Sequence, residues 1–195
     1  MFTDIKQSSM LWRKSPTSMF NALLKHNDLI ESSIQKFKGM VVKSIGDSYM
    51  AYFKDTRSAV KCAIFIQNQD TLQVGNAILK IRIGIACGKL YQKDIFIQNC
   101  NLKDFFGHTV NVAARLEANV SPVGGIALCI IGKNKLPKEI ERSILNKNFK
   151  IKPVEFKSVC KKKFSNHPLL GNECRLDSEI KGVGELQAFI LYPTT

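Results

Sequence analysis

Met40-Val41-Val42-Lys43-Ser44-Ile45-Gly46-Asp47-Ser48-Tyr49-Met50-Ala51-Tyr52-Phe53 is the stretch from which the architecture follows. Two β-rich runs, Met40 to Ile45 and Tyr49 to Phe53, flank Gly46-Asp47-Ser48, which is the composition of a hairpin. Upstream, Ser15-Pro16 reads as an N-cap and first helical residue. Phe20, Leu23, Leu24, Ile30, Ile34 and Phe37 then recur at helical spacing as far as Gly39. Before that helix, Met1 to about Ile5 is a short apolar start expected to form a strand. Downstream, a second helix is expected from Arg57 to about Gln69, with Val60 and Ile64 inward. Ile78 to Cys87 alternates apolar and basic residues, as a half-buried strand does. Leu90 to about Ile97 is expected to return beside it. Gly107-His108-Thr109 opens a helix from Val110 to about Asn119, with Thr109 as candidate cap. Ile126 to Ile131, after Gly124-Gly125, is short and apolar enough for a buried strand, and Leu186 to Tyr192 closes the chain as a last one. Hairpins alternating with helices point to an α+β fold, a mostly antiparallel sheet covered by helices.

The composition limits what such a chain does. Its 195 residues carry 29 Lys and Arg against 16 Asp and Glu, a net charge of +13, with 45 % hydrophobic residues. That hydrophobic share excludes a disordered polycation. No apolar run approaches the roughly 18 residues of a membrane span. Met1-Phe2-Thr3-Asp4 lacks the basic start of a secretion signal. Cysteines 62, 87, 100, 129, 160 and 174 form no CxxC and no metal-site spacing with the three histidines, so buried reduced thiols are expected. On these features the chain is expected inside the cell, in the cytoplasm. The charge leaves three partners open: nucleic acid, a membrane surface or a polyanionic small molecule. From Gly132 to Lys163 the chain holds ten Lys and one Arg against three Glu. That run has little Arg and few interleaved aromatics, so it reads as a solvated basic face and nucleic acid is set aside.

Two aspartates occupy costly positions. Asp4 lies in a strand-like start and Asp47 at a hairpin tip. Singly, a strand-edge carboxylate and ordinary turn chemistry explain them. If the hairpin lies beside the first strand, the two carboxylates repel, and divalent cations between them are the usual remedy. Two cations sharing two carboxylates suit phosphoryl displacement and need only oxygen ligands. Asn111 and Arg115, four apart, project from one helix face while Val112 and Leu116 pack inward. That face is either a solvated surface or an amide that orients a ligand with a guanidinium that meets phosphate.

Phe2-Thr3-Asp4-Ile5, then Val42 to Ala51, then Val110-Asn111-Val112-Ala113-Ala114-Arg115-Leu116-Glu117 resemble the signature blocks of class III nucleotidyl cyclases, the adenylate and guanylate cyclase homology domains. The similarity covers Met1 to Ile131 in order and resumes near Lys181. It implies a ferredoxin-like α+β domain spanning residues 1–195, with the Lys-rich segment 132–163 and C-terminal strands from about 170. It also implies a homodimer whose active sites lie at the subunit interface. Carried over by position, Asp4 and Asp47 match the metal-binding aspartates, and the Ile5 carbonyl adds a ligand for two Mg²⁺ or Mn²⁺ ions. Ser8 and Ser9 fall in the loop that holds the triphosphate, although Gln7 stands where many members have Gly. Asn111 matches the residue that orients the ribose and Arg115 the one that stabilises the α-phosphate. Lys89 and Lys181 match basic polyphosphate contacts.

Lys43 and Asp104 match the pair that selects adenine in adenylate cyclases. A lysine donor and a carboxylate acceptor complement the adenine edge. The resemblance thus implies conversion of ATP to 3′,5′-cyclic AMP and pyrophosphate. The same family leaves open GTP or a pyrimidine nucleotide as substrate, and a catalytically weak nucleotide-binding domain.

Overall fold

The computed structural model describes residues 1–69, 72–74, 77–97, 100–122, 124–145, 149–156 and 186–193. The first strand is β1 (Phe2–Ile5), and the hairpin is β2 (Met40–Ile45) and β3 (Ser48–Tyr52). Its turn is shorter than expected: Ile45 pairs with Ser48, leaving only Gly46 and Asp47 between them. Gly46 takes φ +64°, which glycine adopts without strain. Between β1 and β2 stand α1 (Ser8–Lys14) and α2 (Pro16–Lys36). Ser8 and Ser9 therefore sit in the first turn of a short helix and not in a loop. Gln7 precedes it at φ 59°, ψ 27°, the left-handed conformation a glycine would adopt more cheaply.

α3 (Thr56–Gln67) starts where the apolar periodicity places it, on an Asp55 N-cap whose carboxylate accepts from the Ser58 amide at 2.8 Å. That hydrogen bond holds the Asp55 carboxyl below the usual range. Asp55→Ala should cost about 1 kcal/mol, read as a melting temperature lower by roughly 2–4 °C. The depressed folded pKa means the cap's contribution is present above the unfolded value and is lost as the pH falls through the folded one. The difference between the two proteins should therefore close in acid.

A small ribbon, β4 (Gln73–Val74) with β5 (Ala77–Ile78), follows. The basic–apolar alternation then resumes in β6 (Ile81–Cys87). β7 (Tyr91–Ile97) does not return beside β6. It pairs with β8 (Cys100–Phe106) in a separate antiparallel ribbon, because an unanticipated strand lies immediately downstream to take its hydrogen bonds. α4 (His108–Arg115) is capped by the Gly107 backbone rather than by Thr109, whose hydroxyl donates to the Lys89 carbonyl at 2.6 Å. The helix ends earlier than expected and widens into a π-turn over Leu116–Val120, closed by Ser121 N–H to Leu116 O at 2.7 Å. β9 (Ile126–Ile130), α5 (Lys138–Leu145), β10 (Phe149–Phe156) and β11 (Leu186–Pro193) complete the described chain.

Seven strands form one sheet in the order β10-β11-β9-β6-β1-β3-β2. Adjoining strands are antiparallel except β6 and β9, whose parallel pairing makes α4 part of a crossover. Alternation divides the sheet's faces. Ile83, Ile85, Ile126, Leu128, Phe189 and Leu191 point to one core with residues of α2, α3 and α5. Ala127, Cys129, Ala188 and Ile190 point the other way, against Val112 and Leu116 of α4 and its π-turn. The small residues on that face bring α4 close. A Cβ on Gly84 would stand 2.3 Å from both Ala113 O and Glu117 N. Gly84→Ala should therefore destabilise by about 3 kcal/mol, a fall of roughly 6–12 °C in thermal melting.

The described part of the basic segment holds α5 and edge strand β10, where Lys150, Lys152 and Pro153 blunt the sheet's margin. Cys62 and Cys129 are buried free thiols, as expected, and burial pushes them up to about 12 and about 11. No helix among the described residues is long and apolar enough to cross a membrane.

Candidate functional site

A second face of β1, β3 and β2 turns away from the core that Ile5 and Tyr49 share with α2. The register sets what stands there. Thr3 and Ile5 are buried while Phe2 and Asp4 turn outward. Phe2 lies opposite Met50, which lies opposite Lys43. On the other side Asp4 lies opposite Arg82. Residues facing one another across antiparallel strands share a face, so Asp4, Arg82 and Lys43 rise from the same one.

Asp4 is held at both oxygens. Ser48 Oγ donates to Oδ1 at 2.6 Å, and Arg82 Nη2 donates to Oδ2 at 2.5 Å. Ser48 directly follows Asp47, so the tight turn brings the two sequence-predicted aspartates to one end of the sheet. Asp47 Oδ2 is buried and without a hydrogen-bond partner. Buried carboxylate oxygens are seldom left so. Among the described residues no trio of His, Cys, Asp or Glu gathers into a preformed cage. The donors that could hold a cation there are the two carboxylates and backbone oxygen such as that of Ile5. The orphaned Asp47 oxygen and the all-oxygen set fit a hard divalent cation.

Three further residues surround the pair and carried no role in the sequence reading. Glu117, in the π-turn, is 12 % exposed. Burial pushes its carboxyl up to about 7; Arg82 opposes that, while Asp4 and Asp47 add to it. Arg82 stands between the acids, and its Nη1 donates to Ala118 O at 3.2 Å. His26 of α2 is fully buried beneath them. Burial holds its pKa below the usual value, against Asn27, Asp47 and Asp4, and its Nε2 has no partner. Arg82 had a signal, the basic positions alternating with isoleucines after Ile78. Glu117 lay inside the quoted block, and only packing reveals its burial.

A second cluster forms where β2 meets the ribbon. Lys43 Nζ and Asp104 Oδ2 are 2.6 Å apart, joining residues far apart in sequence. Asp104 is in strand β8. The Lys43 hydrogen bond, aided by the Phe105 amide, holds its carboxyl below the usual range. Tyr52 stacks on Phe105 at 4.5 Å between centroids. A cleft of about 450 Å³ opens beside them, with Phe2, Met50, Tyr52, Phe105 and Val110 in its walls.

Asn111 and Arg115 both lie on α4, Asn111 exposed and Arg115 half-buried. Arg115 Nη1 is buried with no partner. Lys89 is exposed, its Nζ 5.3 Å from the Tyr91 ring centre. Ser8 is half-buried and Ser9 exposed. Lys181 lies outside the described residues.

A family profile described as "Adenylate and Guanylate cyclase catalytic domain" matches residues 1–128. An adenylate cyclase of Podospora anserina is 31 % identical over 140 residues, which is 60 % of this chain and 6 % of that protein. The chain thus spans a small fraction of the length of such relatives. Among solved structures, adenylate cyclases of Trypanosoma brucei in their monomeric state give a TM-score of 0.70 at 21 % identity, covering 97 % of this chain and 87 % of theirs. The guanylate cyclase domain of RhGC from Catenaria anguillulae, in complex with GTP, gives 0.67 at 20 %, covering 100 % and 94 %. Likeness at that identity establishes the fold.

Proposed function

From the premise that this chain belongs to the adenylate and guanylate cyclase catalytic domain family, the class III nucleotidyl cyclases, we propose that it converts ATP to 3′,5′-cyclic AMP and pyrophosphate at a site shared between two copies. The observation that carries this reading is a pair of unmet needs. Asp47 keeps a buried acceptor without a donor, and Arg115 keeps a buried donor without an acceptor. A triphosphate with its divalent cations supplies both.

Asp4, Asp47 and the Ile5 carbonyl would hold two Mg²⁺ or Mn²⁺ ions. Bound there, such cations supply activation of the ribose 3′-hydroxyl and neutralisation of the departing polyphosphate. Arg115 presents its free Nη1 donor to the α-phosphate, where charge develops as the 3′ oxygen attacks and pyrophosphate leaves. Asn111, one turn earlier, orients the ribose. Lys89, Ser8 and Ser9 contact the polyphosphate, with Lys181 as a further cation toward it. Asp4 and Arg115 from different copies would complete each site, which makes the homodimer the active form.

Lys43 and Asp104 support adenine as the base. Their 2.6 Å ion pair sets a donor and an acceptor side by side, and adenine presents an accepting ring nitrogen beside a donating amine. The adenylate cyclase names of the curated relatives agree. Incubation with each of the four nucleoside triphosphates and Mg²⁺ or Mn²⁺, followed by mass spectrometry, tests the reading. Cyclic AMP is the expected product; a cyclic product only from another nucleotide overturns the base assignment, and none at all overturns the activity. Lys43→Glu with Asp104→Cys should move the preference from ATP to GTP by at least about tenfold in kcat/KM.

A further inference from the structure

Arg82 is one cation facing more acid than it satisfies. It gives Nη2 to Asp4 and Nη1 to Ala118 O. Its Nε lies only 3.0 Å from Glu117 Oε1, yet the N–H points past the oxygen. Both atoms are buried and both remain without a hydrogen bond. A guanidinium is a rigid fork, so seating Nε squarely on Glu117 swings Nη2 away from Asp4. The two acids compete for one group, and the observed arrangement favours Asp4.

We propose that Arg82 is a two-position counter-ion: it neutralises Asp4 when no cation is bound and transfers to Glu117 when a divalent cation takes Asp4. The inference rests on the cation site proposed above. Three features support it. A cation approaching Asp4 meets the guanidinium charge at a few ångströms, a repulsion that burial strengthens. Glu117 is a costly buried carboxylate that gains a full partner only after the transfer. The π-turn, an irregularity that inserts an extra residue into the helical ladder, is what lies over Gly84 and presents Glu117 to Arg82. Asp4 keeps its orientation through the change, since Ser48 still donates to Oδ1 and β1 is paired on both sides.

Arg82 is thus a positioning residue, and its test is cation binding without nucleotide. Mn²⁺ titration of the full chain, followed by the electron paramagnetic resonance of free Mn²⁺, should give about tenfold tighter binding for Arg82→Met. Arg82→Gln should shift it in the same direction and serves if the methionine variant folds poorly. Glu117→Gln should weaken binding by about tenfold, and by several-fold less when Arg82 is already replaced. Unchanged or weaker binding in both Arg82 variants overturns the transfer. So does a Glu117→Gln loss that is equal with and without Arg82. In the unmodified protein, ¹⁵N-detected NMR should show the Arg82 Nε proton exchanging about tenfold more slowly at saturating Mg²⁺; an unaltered resonance overturns the transfer too. Absence of Mn²⁺ binding by the unmodified chain would instead overturn the cation site on which it depends.

Discussion

Asp47→Ala should lower the proposed cyclisation rate at least about 1,000-fold, since losing cation stabilisation of the reacting oxygens removes several kcal/mol. The folded protein should not suffer with it. Asp47 is a half-buried carboxylate whose buried Oδ2 has no hydrogen-bond partner, and its charge helps push the Glu117 carboxyl up to about 7. Removing it relieves like-charge repulsion. Thermal melting should therefore stay level or rise while product formation, followed by mass spectrometry, collapses. That opposition marks a group kept for chemistry at some expense to stability. A variant that unfolds, or one that retains full activity, contradicts the assignment.

The second large effect falls on Arg115. Its alanine variant should lose about 100- to 1,000-fold in rate through loss of a preorganised donor. The fold should persist, because Val112 and Leu116 hold α4 and its π-turn against Ala127, Cys129 and Ala188. A mixture then separates one-chain from two-chain sites. Asp4→Ala and Arg115→Ala chains combined in equal amounts should recover about a quarter of the original activity. Random pairing makes half the dimers mixed, and each mixed dimer has one site with both residues intact. Activity no higher than that of either variant alone places the whole site within one chain.

Much of this was legible beforehand, and the reasons differ by residue. Ile45-Gly46-Asp47-Ser48 announces its own turn, so the hairpin followed from local chemistry, whereas its place beside β1 stood only as a condition until the pairing of Phe2 with Met50 supplied it. Ile126 to Ile130 is apolar throughout, and every one of its residues is buried. β7 was legible as a strand but its partner β8 was not: Cys100 to Lys103 alternate, and Asp104 followed by Phe105 and Phe106 breaks the period of two. Among the ribbon's residues whose burial is described only Phe105 is buried, which is too little to imprint one. Thr109 has a capping side chain, but Gly88 lets Lys89 approach and take its hydroxyl. Within the candidate site, Asp4, Asp47 and Lys43 were singled out by their place in recognisable blocks, and Asp104 by the family pattern that those blocks brought with them. Arg82, Glu117 and His26 were not, because their importance lies in burial and in who faces whom across β6, α2 and the π-turn. A single chain of letters records neither.

Where the two clusters sit in the sheet has a further consequence. Asp4 is on β1, paired on both sides and deep in the strand order. Its amides should exchange with solvent only when the whole sheet opens. Lys43 is on margin strand β2 and Asp104 on a two-stranded ribbon, a unit that is only marginally stable by itself. The half of the substrate that every nucleoside triphosphate shares would thus meet the most durable part of the molecule. The half that distinguishes one nucleotide from another would meet its most easily rebuilt part. Changes there can accumulate without risk to folding, so descendants of such a chain can acquire a new base while inheriting the phosphate chemistry intact.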